Sequence, residues 1–261
     1  MTEALHATDR TVLLVSGEDT RDFLQGLVSN DVRRLETEPA VYAALLSPQG
    51  KYLFDFFLVA SPEGVLVDVA TDRAQALAQR LSMYRLRAKV AVGLAERQVV
   101  VGLGDVPGGA FADPRDAGLG WRAVVEDAGV FMEGMDTLDP DVLLARRVEL
   151  CVPESGAELK PDESYILEQG FERLHGVDFR KGCYVGQEVT ARMKHKTELR
   201  KGLARVEVEG DVAPGTPIEV DGKPVGTLHS VQGGQGLAYL RFDRAEKGGM
   251  TAAGVGLRLR E

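Results

Sequence analysis

A chain of 261 residues with 44% hydrophobic and 27% charged side chains has the length and composition of a soluble fold with two domains, or of one domain carrying a smaller one. No apolar run nears the ~20 residues of a spanning helix. The formal net charge of −9 excludes a surface that is one broad platform for nucleic acid or anionic membrane. Residues 1–10 have neither the apolar core of a signal peptide nor the Arg/Ser-rich pattern of a transit peptide, so a cytoplasmic location is the default. Two cysteines, Cys151 and Cys183, are too few for a disulfide framework or a four-thiolate cluster. The histidines His6, His175, His195 and His229 show no zinc-like spacing, and no resident metal is expected.

In chain order, residues 11–15 read as a strand. Ser16 or Asp19 offers a cap to a helix whose Phe23, Leu24 and Leu27 fall at helical spacing. Asn30-Asp31 ends it, both residues tolerating left-handed backbone. Residues 41–46 and 52–60 read as strands joined by Ser47-Pro48-Gln49-Gly50, with Pro and Gly where a type I turn favours them. Asp55 interrupts the second strand amid Leu53, Phe54, Phe56 and Phe57. A carboxylate in such company either faces solvent or is buried with a partner. Residues 64–70 form a third strand, and Thr71 or Asp72 caps a helix with Ala74, Leu77, Leu81 and Tyr84 on one face.

Strands follow at 90–92, 99–103 and 121–125, and the irregular alternation of strand and helix predicts an α+β fold rather than a doubly wound sheet. Gly102-Leu103-Gly104 superficially resembles a dinucleotide loop. Pro107-Gly108-Gly109 opens no helix for a pyrophosphate, so the segment reads as a connection. A helix is expected over 137–148 and a short one over 164–175. Past Lys201 short strands alternate with turns, and Asp221-Gly222 is a two-residue hairpin signal. Residues 196–261 therefore read as a small antiparallel β-barrel.

The distinctive stretch is Arg180-Lys181-Gly182-Cys183-Tyr184-Val185-Gly186-Gln187-Glu188-Val189-Thr190-Ala191-Arg192. Two glycines bracket Cys-Tyr-Val, and a helix is expected to begin near Gln187. A thiol ahead of a helix N-terminus, two residues from Lys181, is biased toward thiolate. The other reading of Cys183 is a small buried hydrophobe in a tight turn. Around it Arg180, Lys181, Arg192, Lys194, Lys196, Arg200 and Lys201 outnumber Glu188 and Glu198, a basic excess suited to a polyanionic ligand tail or simply to a solvated face.

The string K-G-C-Y-V-G-Q-E resembles the signature of the YgfZ family of folate-binding proteins, which act in iron–sulfur cluster assembly and repair. That family is similar in fold to the T-protein (aminomethyltransferase) of the glycine cleavage system, and the resemblance extends over about residues 10–245. It implies two α+β lobes over 1–195 and a barrel over 196–261, around a central pocket for tetrahydrofolate, a reduced folate. By the same resemblance Glu149 holds the pterin, Asp55 lines the pocket, and Tyr184 and Gln187 contribute to binding. Cys183, Lys181 and Asp55 are the implied reactive set. Where the T-protein family has an Asp pair this chain has Phe54-Asp55, a departure that argues against the alternative function, folate-dependent aminomethyl transfer. The implied partners are folate and iron–sulfur client or assembly proteins, tRNA-modifying enzymes among the clients. No direct nucleic-acid or membrane contact and a monomeric state are expected.

Overall fold

The computed structural model describes residues 2–195, 199–245 and 248–260. Strands β1 (Glu3–His6) and β2 (Arg10–Ser16) precede helix α1 (Thr20–Gln25). Strands β3 (Ala40–Leu46), β4 (Tyr52–Ser61) and β5 (Gly64–Ala70) form a meander, whose first turn closes with the Gly50 N–H donating to the Ser47 carbonyl at 2.8 Å. Helix α2 (Thr71–Tyr84) and strand β6 (Ala91–Leu94) complete an antiparallel sheet in the order β3-β4-β5-β2-β6. Neither expected cap forms at these helices. Thr71 is already helical, with Ala70 before it, and the Asp19 carboxylate accepts from the Lys89 N–H at 2.7 Å instead.

Side chains alternate across a strand, and β4 uses both faces. Phe54, Phe56 and Leu58 pack beneath α1 and α2 with Leu24, Leu77 and Leu81. Phe57 and Val59 join Tyr42 in a second core on the opposite face. Asp55 shares that second face.

The next sheet has the order β10-β1-β7-β9-β8. It draws on β7 (Gln98–Leu103), β8 (Phe111–Ala112), β9 (Trp121–Val125) and β10 (Asp136–Thr137), with the short helix α3 (Ala128–Phe131) between the last two. Helix α4 (Pro140–Glu149) follows, its N-cap Asp139 accepting from the Asp141 N–H at 2.9 Å and its proline in the first turn. Residues 150–186 then run as consecutive turns. The helix expected over 164–175 does not form, because Gly170 sits at φ +78° and stops each attempt after one turn. Ile166, Leu167 and Phe171 from this segment fill the second core.

After α5 (Gln187–Lys194) come six barrel strands: β11 (Lys201–Val208), β12 (Pro217–Val220), β13 (Lys223–Gln232), β14 (Gln235–Arg241), β15 (Met250–Ala252) and β16 (Val255–Leu259). Helix α6 (Phe242–Ala245) follows β14. The barrel closes in the order β11-β14-β13-β12-β15-β16, around Val206, Ile218, Leu228, Ala238 and Leu240. Asp221 and Gly222 at φ +50° and +69° make the left-handed pair that a type I′ hairpin requires. Lys196 and Glu198 of the basic run, and the expected boundary beside them, lie outside the described residues. The barrel is tied back to the turn segment by the Leu203 N–H on the Glu168 carbonyl at 2.7 Å and the Tyr239 hydroxyl on Glu168 Oε2 at 2.6 Å.

Candidate functional site

Between the two sheets, under α4, lies a cavity of ≈ 450 Å³, within the range of small-ligand sites. Its polar wall includes Arg10, Asp55, Arg115, Arg122, Arg147 and Glu154. Asp55 is buried and accepts one hydrogen bond on each oxygen, from the Tyr52 hydroxyl on Oδ1 at 2.7 Å and the Tyr42 hydroxyl on Oδ2 at 3.0 Å, which leaves acceptor capacity on both. Burial first, and then the Asp55 charge, push both tyrosines up, so each hydroxyl keeps its proton and stays a donor. The Tyr52 oxygen also meets the Ser155 hydroxyl at 3.1 Å.

Beside this acceptor stands an arginine wall. The guanidinium carbons of Arg122, Arg115 and Arg10 lie 4.1, 4.8 and 5.8 Å from the centroid of the Phe57 ring, a stacked arrangement that arginine favours. Asp68 bridges two of them, accepting from Arg10 Nε at 2.6 Å and Arg122 Nη2 at 2.5 Å. Asp113 takes Arg115 bidentately at 3.0 and 2.7 Å. Burial alone raises both aspartates, but their arginines outweigh it and hold them below the usual carboxylate range. Arg122 lines the cavity, and its Nε is buried without a hydrogen-bond partner among the described residues.

Arg147 reaches across to the barrel. It donates to the Val152 carbonyl at 3.0 Å, Glu158 Oε2 at 2.8 Å and the Ser230 hydroxyl, with Glu154 at 3.3 Å. Glu158 closes the loop by accepting from the Ser230 hydroxyl at 2.6 Å.

Of the candidate site residues Asp55, Glu149, Lys181, Cys183, Tyr184 and Gln187, Asp55 lines the cavity and the others do not. Glu149 does not: its side chain is 55% exposed and pairs with Arg146 at 3.6 Å on the outer side of the last turn of α4. The carboxylate residues lining the cavity are Asp9, Asp55, Asp113, which is taken up by Arg115, and Glu154. Phe54 needs a correction too. Its ring belongs to the core under α2, with Arg73 at 5.0 Å. Neighbours on a strand face opposite ways, so its identity says nothing about carboxylates in the cavity.

The signature residues form a separate surface feature. Gly186, at φ +82°, caps α5 and packs against the β3–β4 turn so tightly that a Cβ there would sit 2.6 Å from the Ser47 carbonyl oxygen. Cys183 is exposed. Lys181 is not its activator: Nζ is turned inward onto the carbonyls of Gln25 and Val28, at 2.5 and 2.6 Å. Burial pushes that amine down to about 8. Tyr184 is buried, its ring 4.9 Å from Lys181 Nζ and its hydroxyl unpartnered among the described residues. Gln187 is the first residue of α5 and, like Lys181, Cys183 and Tyr184, does not line the cavity. No group of three His, Cys, Asp or Glu among the described residues has metal-site geometry.

Composition passed over Tyr42, Tyr52 and the arginine wall. A signal was present: Asp68 and Arg122 are opposite lone charges inside apolar strands, as Asp55 is.

Comparison with known proteins gives three findings. Residues 200–261 match the family of CAF17 C-terminal β-barrel domains. The chain is 33% identical to the mitochondrial iron–sulfur cluster assembly factor IBA57 of Mus musculus, over 90% of this chain and 76% of that protein. The corresponding figures for the Homo sapiens factor are 32%, 88% and 75%. The crystal structure of glycine cleavage system aminomethyltransferase T from Bartonella henselae superposes with a TM-score of 0.82, covering 100% of this chain and 85% of that one at 14% identity. That likeness gives the fold, which is the expected T-protein-like α+β architecture with its C-terminal barrel.

Proposed function

We propose that this chain, which belongs to the IBA57 family of iron–sulfur cluster assembly factors, works in iron–sulfur cluster assembly with a reduced folate held in the cavity between its sheets. The observation that carries the folate reading is the polar wall: a buried carboxylate, Asp55, held by two protonated tyrosines, beside the lining guanidinium of Arg122, whose Nε has no partner among the described residues. A pterin offers both N–H donors and ring acceptors, and this wall supplies one group for each. Asp55 would take the donors, Arg122 an acceptor, and Arg115 with Arg147 would face the anionic tail. When bound, tetrahydrofolate supplies a carrier for one-carbon units. Asp55 is oriented by the hydroxyls of Tyr42 and Tyr52, while Phe57 and Trp121 keep that part of the wall apolar.

Cys183 is the second half of the proposal. Its exposed thiol, on a turn fixed by Gly186 against the β3–β4 hairpin, would meet the client or assembly protein. The clients would include tRNA-modifying iron–sulfur enzymes, served from the cytoplasm by a monomeric chain without nucleic-acid contact. The mouse and human relatives are mitochondrial by name.

Titration calorimetry with tetrahydrofolate tests the cavity. Wild type is expected to bind in the micromolar range, about −8 kcal/mol. Asp55→Asn should weaken binding by roughly 1–3 kcal/mol, and Glu149→Ala should leave it unchanged. Absence of binding heat with several reduced folates would sink the folate reading. The alternative, aminomethyl transfer, keeps its standing because Phe54 no longer counts against it. Release of ammonia from an aminomethyl-lipoyl carrier protein at about 1 s⁻¹ or faster would establish it.

A further inference from the structure

Among the described residues, the three most exposed large apolar side chains are Leu86, Leu94 and Met83, at 89%, 77% and 70%. They lie on the last turn of α2, the loop after it and the end of β6. Leu86 stands at φ +45°, one residue past the helix C-cap Arg85. Glycine or asparagine is the usual occupant of that position, because a Cβ is strained there. A leucine is strained and wetted at once, and no contact within the core uses it. Strain of this kind, held at an exposed tip, points to a role outside the fold.

Charge around the loop is one-sided. Arg80, Arg85, Arg87 and Lys89 stand between Gln79 and Val90 with no carboxylate, in a chain of net charge −9. Lys89 pairs with Glu18 at 2.7 Å and Arg85 donates to the Val90 carbonyl at 3.4 Å. Arg80 and Arg87 make no ion pair among the described residues. Cations at a helix C-terminus suit its dipole, which explains part of the charge but neither Leu86 nor Met83. Alongside, β6 is the outer strand of its sheet and, among the described residues, pairs on one side only, with β2. Open space lies where a side chain at Gly93 would stand, on the face of the sheet beside that edge.

We infer that the α2–β6 loop and the free edge of β6 form a docking surface for an acidic protein segment. The segment adds a strand to β6, sets its carboxylates against Arg80 and Arg87, and covers Leu86 and Met83. A bilayer fits less well, because hydrocarbon cannot satisfy the unpaired N–H and C=O groups of a strand edge. The inference stands apart from the folate cavity and from Cys183.

The test uses the full chain and a synthetic peptide of alternating valine and glutamate, with lysine replacing glutamate in the control. The glutamate peptide is expected to bind, to weaken as salt is raised, and to slow amide exchange across residues 91–94. The lysine peptide should bind at least about tenfold more weakly. Leu86→Gly relieves the strained backbone, so it should raise the Tm by about 2–4 °C while lowering peptide affinity about tenfold. Arg87→Glu should lower affinity by a similar factor. Equal binding of the two peptides, unchanged exchange at 91–94, or full affinity in Leu86→Gly overturns the proposal. So does preferential binding to phosphatidylglycerol vesicles, or a self-associated dimer that protects the same amides.

Discussion

Replacing Asp68 by asparagine removes one charge and leaves the shape of the cavity wall. Asp68 is 1% exposed and accepts from Arg10 at 2.6 Å and Arg122 at 2.5 Å. Asparagine retains one acceptor oxygen, yet strands two buried guanidinium groups beside the same phenylalanine ring. Among the described residues Arg122 keeps Asp113 as its remaining ion pair, at 3.9 Å. Breaking a buried pair from one side costs about 3–5 kcal/mol, and a chain of this size loses about 2–4 °C of Tm per kcal/mol. The expected drop is therefore roughly 6–20 °C, read by calorimetry, with a matching fall in the urea midpoint. The pH dependence carries a second signature. Asp68 and Asp113 titrate below their unfolded values, near 3.9. Their ionised forms stabilise the fold fully above that value, and the contribution is lost as pH falls through the folded values. Wild type should lose stability steeply below about pH 4, and Asp68→Asn should fall on a shallower acid limb. A loss under about 1 kcal/mol, or parallel acid limbs, would refute the view that the arginine wall is held by these carboxylates.

Three further outcomes are expected. Lys181→Met should cost about 1–3 kcal/mol by leaving the Gln25 and Val28 carbonyls without their donor. Because the folded amine titrates at about 8 and the unfolded one near 10.4, the unfolded chain holds the extra proton between those values. Wild-type stability should therefore rise with pH in that window, and the variant should lack the slope in chemical denaturation. Cys183, exposed, should react with iodoacetamide at neutral pH about tenfold faster or more than Cys151, whose thiol is half-buried and pushed up by burial; mass spectrometry of the two peptides giving equal rates would contradict the exposed setting. Gly186→Ala meets both a left-handed backbone and the Ser47 carbonyl, and should cost about 2–4 kcal/mol. Thermal unfolding unchanged by that substitution would mean the signature turn is not pinned to the hairpin.

The strands with clean alternation, the α2 stripe and the Asp221-Gly222 hairpin were legible in the sequence because each signal is local. Strand β1 was not, since four residues carry too little periodicity. The 164–175 segment misled because its apolar spacing suits a helix, while one glycine at positive φ decides the backbone. The site divided in the same way. Asp55 was found because a carboxylate among phenylalanines needs a reason, whereas its tyrosine partners and the Asp68–Arg122 pair, |i−j| = 54, come together only through tertiary packing. Glu149 came from the family resemblance, and the turn of α4 puts it on the outside.

Arg147 belongs to two structures at once. The same guanidinium that lines the cavity also fastens strand β13 through Ser230 and Glu158. A guest that draws Arg147 Nη2 away from Ser230 would loosen the barrel, and a force that lifts the barrel would then change that guest's affinity by the same factor, since coupling between two equilibria is reciprocal. Occupancy can thus be reported at a distance, to whatever touches the barrel's outer wall, with no moving part larger than one side chain.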